Sequence, residues 1–171
     1  SQVSKFRQSV IHNYSSGWQD ENFKSGTSGR LYLSGHLFRS SGDWVQMTDQ
    51  TITDSAAVIE KSLICGNSQG VTGITVNNNP FSFTAPNMLN RIVLNKDLSR
   101  GIKLSVANEN LPVYGISFET ASGIFVDNFS FRGITGIEFA RIDSNFMKAI
   151  AANNSYDLIV FQYGVNLLFR P

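Results

Sequence analysis

Short apolar runs, several of them alternating with polar residues, occupy residues 1–119 of the chain. Clusters of Ser, Gly, Asn and Pro separate the runs roughly every 10 to 15 residues, and no helical periodicity appears among them. Alternation with period two is typical of half-buried antiparallel strands, and regularly spaced turns are typical of a sandwich or barrel. We therefore predict a mainly β protein whose N-terminal part is an antiparallel, jelly-roll-like β-sandwich. The predicted strands are 31–33, 44–47, 58–65, 74–76, 81–83, 91–94 and 102–106.

The pattern changes after Pro112. Two further strands are predicted at 113–119 and 124–129, followed by a loop that opens a helix. Thr135 and Glu138 have the S/T-x-x-E spacing of a capping box, in which each side chain satisfies a free backbone N–H of the other. The apolar side chains that follow at helical spacing predict one buried helix face. They are Phe139, Ile142, Phe146 and Ile150.

A nearly continuous apolar run at 158–161 follows the helix, and this pattern is typical of a parallel strand covered on both faces. Strand, capped helix and parallel strand form a βαβ unit. We therefore divide the chain into a β-sandwich module, residues 1–112, and a partial α/β domain, residues 113–171. A single βαβ unit cannot bury both faces of its sheet, so we expect further polypeptide on both sides of this chain.

Composition excludes several classes of function. Hydrophobic residues make up 42% of the chain and charged residues only 16%, with a formal net charge of +1. Such a chain can build a core, and it lacks the basic patch of a nucleic-acid-binding protein. No apolar stretch approaches the length of a membrane span.

The titratable residues predict no metal and no cofactor. Cys65, the single cysteine, lies in an apolar run, where a buried structural thiol is expected. His12 and His36 are far apart in sequence. No signal peptide is visible at Ser1, as in a mature exported chain whose leader has been removed, although a cytoplasmic chain would look the same.

Two segments together resemble a known family. Residues 125–139, which contain Arg132-Gly133-Ile134-Thr135-Gly136, resemble the second conserved block of SGNH (GDSL-type) serine esterases. Residues 156–166, a hydrophobic strand that ends in Gly164-Val165-Asn166, resemble the third block. The two blocks occur in order, about thirty residues apart, and the resemblance covers residues 113–169.

The resemblance implies a role for two residues. Gly136 would offer its backbone N–H, and Asn166 its side-chain amide, to the oxyanion of the substrate. A tetrahedral intermediate needs preorganised donors of this kind, and a glycine leaves its N–H unobstructed. The structural alternative is that Gly136 is a glycine of the first helical turn and Asn166 a turn residue after a strand. Arg132 and Gly133 are assigned to the shape of the loop.

The nucleophile and base of that family are missing. Gly42-Asp43 is followed by Trp44 where the family has its serine, and neither histidine lies in an Asp-x-x-His block. Leu167 also stands where the third block often has Asp. We therefore expect this chain alone to be inactive. Some SGNH esterases, notably those that resemble peptidoglycan O-acetylesterases, have a galactose-binding-like sandwich inserted between the nucleophile block and the second block. A fragment of such an exported enzyme would look like this chain.

Three functions follow as alternatives. The first is a fragment of an SGNH-type esterase that acts on acyl, chiefly acetyl, esters of a carbohydrate or cell-wall polymer and that works with the remaining segments of its parent. The second is a non-catalytic carbohydrate-binding β-sandwich, in which Trp18, Trp44, Tyr32 or Phe38 would stack on sugar rings; aromatics in a sandwich are more often core residues. The third is a structural or adhesive sandwich with a coincidental C-terminal match.

Overall fold

Ten β-strands and one α-helix make up the regular structure of the part of the chain that the computed structural model describes, residues 10–26 and 28–163. The strands are β1 Val10–Tyr14, β2 Gln19–Asn22, β3 His36–Arg39, β4 Asp43–Asp49, β5 Ile59–Cys65, β6 Val71–Val76, β7 Asn79–Thr84, β8 Asn90–Asp97, β9 Gly101–Val106 and β10 Val113–Glu119. A 3₁₀ helix, Ile137–Arg141, precedes the α-helix α1, Ser144–Asn154.

The strands form two five-stranded antiparallel sheets. Sheet A has the order β1-β4-β9-β6-β7 and sheet B the order β2-β3-β10-β5-β8. The eight strands β3 to β10 therefore follow the jelly-roll order, in which the chain repeatedly crosses between the two sheets. β1 and β2 extend the two sheets at their edges.

The main core lies between the two sheets. Both sheets contribute apolar side chains to one buried cluster, and they alternate with outward-facing residues along β6 and β9 as a half-buried strand requires. Its fully buried members include Leu63, Cys65, Leu104, Val106 and Leu111.

A second apolar cluster covers the other face of sheet B. Phe146 and Ile150 of α1 pack with Tyr32, Leu89 and Tyr114 in this cluster. Ile64 of β5 packs against the same cluster, so β5 is covered on both of its faces. The C-terminal helix is therefore packed against the sandwich.

The mainly β architecture predicted from the sequence is confirmed. Six of the seven strands predicted before residue 112 lie within or overlap observed strands, from β4 to β9. The exception is 31–33, which is a loop and turn before β3. β1, β2 and β3 were not predicted, because their short, largely polar sequences give little alternation.

The predicted βαβ unit is not formed by the described residues. Segments 124–129 and 158–161 are irregular, and every strand pairing in the described part is antiparallel. A strand requires a hydrogen-bonded neighbour, and no described residue supplies one to either segment. Their apolar side chains are largely exposed, with Val126 at 85% and Val160 at 79%.

The helix also differs from its prediction, because the backbone breaks between Arg141 and Ser144. Asp143 caps α1, its carboxylate accepting from the N–H of Asn145 at 3.0 Å and of Phe146 at 2.9 Å. The predicted buried face is nonetheless correct: Ile142, Phe146 and Ile150 are buried, and Phe139 packs against them.

The division at residue 112 stays a prediction, but the pairing of β10 bears on it. The sequence pattern assigns 113–119 to the α/β domain, whereas β10 lies between β3 and β5 in sheet B. Tyr114 also stacks on Tyr32, with ring centroids 5.5 Å apart. The strand that begins the predicted second domain is thus a central strand of the sandwich.

Candidate functional site

The loop that joins Ile134 to the 3₁₀ helix forms the candidate site. Ile134 and Thr135 are buried, and Ile134 anchors the loop in the second apolar cluster. Gly136 follows with φ +99°, a left-handed backbone conformation that favours glycine. A glycine suits this position because the chain must turn sharply before the helix begins.

One carboxylate oxygen accepts three hydrogen bonds from this loop. Oε2 of Glu138 accepts from the N–H of Thr135 at 2.9 Å, the N–H of Gly136 at 3.1 Å and the hydroxyl of Thr135 at 3.1 Å. The predicted capping box is therefore half formed, since Glu138 reaches the Thr135 N–H. The Thr135 hydroxyl oxygen instead accepts a long contact of 3.4 Å from the N–H of Ile137.

This arrangement has a direct chemical meaning. Two successive backbone N–H groups converge on a single anionic oxygen atom, which is the geometry of an anion-binding nest. In the structure the anion belongs to the chain's own Glu138. A ligand oxyanion that uses the Gly136 N–H must displace this carboxylate.

The aromatic ring of Tyr163 covers Gly136. A Cβ atom added at Gly136 would lie 3.0 Å from two carbons of the ring, so a larger residue would require the ring to move. The same ring packs beside Phe139, with centroids 5.9 Å apart. The segment that begins at Tyr156 therefore passes directly over Gly136. Asn166, the other predicted donor, lies outside the described residues.

A hydrogen bond also joins the segments 125–139 and 156–163. The Tyr156 hydroxyl donates to Oδ2 of Asp127 at 2.7 Å. Partial burial and this bond to a carboxylate both raise the pKa of Tyr156. The phenol therefore stays protonated and holds the two segments together.

Arg141 fastens the 3₁₀ helix to the sandwich. Its guanidinium donates to the carbonyl oxygen of Phe23 at 2.5 Å and to the carbonyl oxygen of Gly26. The Asp143 N–H donates to the Gly29 carbonyl at 2.7 Å. The candidate loop is thus tied to the loop between β2 and β3.

Asp43 and the two histidines, which do not fit the nucleophile and base blocks of the family, make structural contacts. Asp43 accepts from the Ser15 hydroxyl at 2.7 Å and the Gly17 N–H at 3.0 Å, which closes a turn. His36 Nδ1 lies 2.8 Å from Asp20, and its ring stacks on Phe38. Among the described residues no serine or cysteine is hydrogen-bonded to His36. His12 is exposed on β1, where it stacks on Tyr14.

The aromatic residues singled out for sugar stacking mostly serve the core. Tyr32 is buried in the second apolar cluster, and Trp18 and Phe38 pack against the main core. Trp44 is half-buried, with the Lys103 ammonium 5.3 Å from the centre of its ring. These positions favour the core interpretation for Tyr32, Trp18 and Phe38.

A polar groove elsewhere on the sandwich gives no signal in the sequence. It encloses about 520 Å³ and is lined by Arg30, Arg39, Asn67 and Tyr114 among others. These residues come from four separate stretches of sequence, so no local motif could have indicated the groove.

Neither a metal centre nor a membrane span is visible in the described structure. Within residues 10–26 and 28–163, no three His, Cys, Asp or Glu side chains gather as metal ligands would. None of the helices in this part of the chain is long and apolar enough to span a bilayer.

Comparison with known proteins gives a likeness to a solved structure. No protein-family model matches the chain, and no curated protein matches it. The chain is similar to a solved structure described as "Peptidoglycan O-acetylesterase in action, 5 min", with a TM-score of 0.65 and 21% sequence identity. At this identity the likeness shows a shared fold.

The extent of that match is informative. It covers 88% of this chain and 41% of the esterase chain, so this chain spans less than half of the neighbour's length. Residues 1–119 make up only about 70% of the chain, so the match necessarily includes part of the C-terminal segment. The shared fold is therefore not confined to the sandwich.

Proposed function

We propose that this chain is part of an SGNH-type serine esterase that hydrolyses acyl esters, chiefly acetyl esters, of a carbohydrate or cell-wall polymer. The observation that carries the proposal is the loop at Gly136. Its two N–H groups converge on one anionic oxygen, and it lies in the segment that resembles the second block of that family. The fold shared with a peptidoglycan O-acetylesterase supports the same assignment.

Gly136 and Asn166 contribute oxyanion donors in this proposal. Acyl transfer places a negative charge on the former carbonyl oxygen, and fixed N–H groups stabilise that charge without reorganisation. Oε2 of Glu138 occupies the position that the substrate oxygen would take, at 3.1 Å from the Gly136 nitrogen. Binding of substrate therefore exchanges one anionic acceptor for another. Asn166 completes the pair from the segment that follows Tyr163.

Exposed apolar segments support the view that the enzyme includes more polypeptide. Ile124 is 95% exposed, and Leu158 and Val160 are almost as open to solvent. Apolar runs of this kind are characteristic of strands covered on both faces of a parallel sheet. Further polypeptide that pairs with 124–129 and 158–161 would bury them and would supply the serine nucleophile and the histidine base.

The compartment belongs to the same proposal. A cell-wall or extracellular polymer is reached from outside the cytoplasm, so the parent enzyme is exported to the periplasm or the extracellular space. The low share of charged residues, 16%, and the free, buried Cys65 are compatible with such a protein.

The test begins with the intact mass and N-terminal sequence of the natural protein that contains this chain. Hydrolysis of p-nitrophenyl acetate is then measured for that protein and for the 171-residue chain. We expect the longer protein to contain Gly-Asp-Ser and Asp-x-x-His blocks and to hydrolyse the ester, and the isolated chain to be inactive. A longer protein that lacks both blocks and leaves the ester intact would contradict the proposal.

A further inference from the structure

The polar groove on the sandwich contains two buried hydroxyl groups without a partner. Tyr114, from the central strand β10, is 6% exposed, and its hydroxyl oxygen makes no hydrogen bond in the described structure. The Ser68 hydroxyl is buried and unpartnered in the same way, and both residues line the groove. Buried hydroxyls are nearly always hydrogen-bonded in native proteins. Two such groups in one groove make it a candidate site for a ligand with acceptor atoms.

Two guanidinium groups flank the same groove. Arg39 is held by the carbonyl oxygen of Asn110 at 3.1 Å and lies 3.7 Å from the carboxylate of Glu21. Within the described ranges, the Arg30 guanidinium makes one long hydrogen bond, 3.5 Å, with the side-chain oxygen of Asn67. A guanidinium has five N–H donors, so both side chains retain donors for a ligand.

Tyr114 lines the groove together with both arginines. Burial raises the pKa of Tyr114, and the charges of Arg30 and Arg39 act in the opposite direction. The phenol stays protonated and remains a donor. The three groups thus present hydrogen-bond donors, two of them cationic, to one space of about 520 Å³. Across the described ranges, Glu21 is the one acid in an ion pair with either arginine, and its partner is Arg39.

We propose that this groove binds a carboxylate-bearing saccharide, with Arg30, Arg39 and the Tyr114 hydroxyl as donors to the carboxylate. Guanidinium groups form the strongest hydrogen bonds with planar oxyanions, and a phenol adds a directed donor. The proposal goes beyond ester hydrolysis and does not depend on it.

The rest of the lining favours a sugar over a peptide. Asn67, Gln69 and Asn108 bring amide groups, which can both donate to and accept from sugar hydroxyls. The apolar part of the lining is small, because Leu37 is fully buried and Pro112 is half-buried. An amide-rich site with clustered donors therefore suits a polyhydroxylated acid.

The test compares two sugars that differ only in the acidic group. N-acetylmuramic acid is N-acetylglucosamine with a lactyl ether, which brings the carboxylate. Dissociation constants for the full chain are measured by calorimetry or by NMR titration. We expect the acid to bind at least ~10-fold more tightly than the neutral sugar, because a charge-assisted hydrogen bond increases affinity by about tenfold or more.

Three variants locate the site. Arg30→Gln and Tyr114→Phe should each weaken binding of the acid by ~5- to 10-fold and leave binding of the neutral sugar unchanged. Tyr114→Phe removes an unpartnered hydroxyl, so its melting temperature should equal or exceed that of the wild type. Arg100→Gln is the matched control, because Arg100 contacts the Thr53 carbonyl and does not line the groove.

Three results would overturn the proposal: equal affinity for the two sugars, no loss in either groove variant, or acetate alone binding as tightly as the acidic sugar. Neither sugar contains an ester. Failure here therefore leaves the esterase proposal untouched, and an inactive parent enzyme leaves this one untouched.

Discussion

At the scale of single residues, three glycines differ in backbone conformation and in the space that an added side chain would have. Gly136 has φ +99°, and a Cβ added there would lie 3.0 Å from the Tyr163 ring. Gly133 has φ +84°, but an added Cβ would meet only the flexible end of Lys24, at 3.4 Å. Gly73, in β6, has neither constraint.

These differences predict a graded response to alanine in the thermal unfolding of the chain. Gly73→Ala should be neutral or slightly stabilising, because alanine restricts the unfolded chain. Gly133→Ala should cost about 1–2 kcal/mol from the left-handed backbone. Gly136→Ala should cost more than Gly133→Ala, because the Tyr163 ring must also move. Equal melting temperatures for all three variants would show that the loop is not held as described.

The candidate residues show what local sequence can reveal about a site. Gly136 and the pair formed by Thr135 and Glu138 were recognisable, because turns and capping depend on spacing over a few residues and not on the fold. That the Glu138 carboxylate would also accept from the Gly136 N–H was not predictable, since this contact depends on the torsion angles of the loop.

The groove residues give no comparable signal. No spacing along the chain relates Arg30, Arg39 and Tyr114, and the last two come close only through the pairing of β3 with β10. Sites built from distant strands therefore stay hidden until the order of the sheet is known.

At the scale of elements, a buried lysine links the two neighbouring strands β5 and β8. Lys61 has no exposed side-chain surface, and its ammonium pairs with the carboxylate of Asp97, which is 42% exposed. The hydrogen bond from Lys61 is the largest cause of a lowered pKa at Asp97. Removing the acid would leave a buried cation without its partner.

The lowered pKa of Asp97 determines the direction in which the stability of the fold changes with pH. The folded state binds a proton at Asp97 less readily than the unfolded state does, so the contribution to stability is fully present above the ordinary pKa of 3.8. It is lost as the pH falls through the lowered folded value. Asp97→Asn should therefore destabilise the chain at pH 7 and flatten the fall of its melting temperature below about pH 4.

The expected cost of Asp97→Asn at pH 7 is about 1 kcal/mol, because solvent screens the exposed carboxylate and weakens the pair relative to a fully buried one. Asp157→Asn is the control, since Asp157 is exposed and takes part in none of the ion pairs of the described residues. An Asp97→Asn melting curve that runs parallel to that of the wild type from pH 7 to about pH 2 would contradict this expectation.

Elements were predictable to the extent that their own sequence contains a period. β9 alternates along its whole length and was found almost to the residue. The helix face was found from the spacing of Phe146 and Ile150, although the break at Asp143 was not. Segments 124–129 and 158–161 have the composition of strands, but pairing requires a neighbour that the described residues do not provide.

At the scale of the whole molecule, the sandwich and the C-terminal segment form one packed structure. The helix α1 covers the outer face of sheet B, and Arg141 ties the candidate loop to the loop after β2. The boundary at residue 112, drawn from the change in sequence pattern, stays a prediction. The pattern of apolar and polar residues reflects local periodicity, whereas the position of β10 in sheet B depends on contacts between residues that are distant in sequence.

The central claim is that the Gly136 N–H and the Asn166 amide together stabilise an oxyanion. The most direct test is kcat/KM for p-nitrophenyl acetate, measured on the natural protein that contains this chain, for the wild type, Asn166→Ala and Asn13→Ala. Asn13 is an exposed asparagine on β1 and serves as the matched control. We expect a fall of ~10²- to 10³-fold for Asn166→Ala, mostly in kcat, and no change for Asn13→Ala. Equal values for Asn166→Ala and the wild type would contradict the claim.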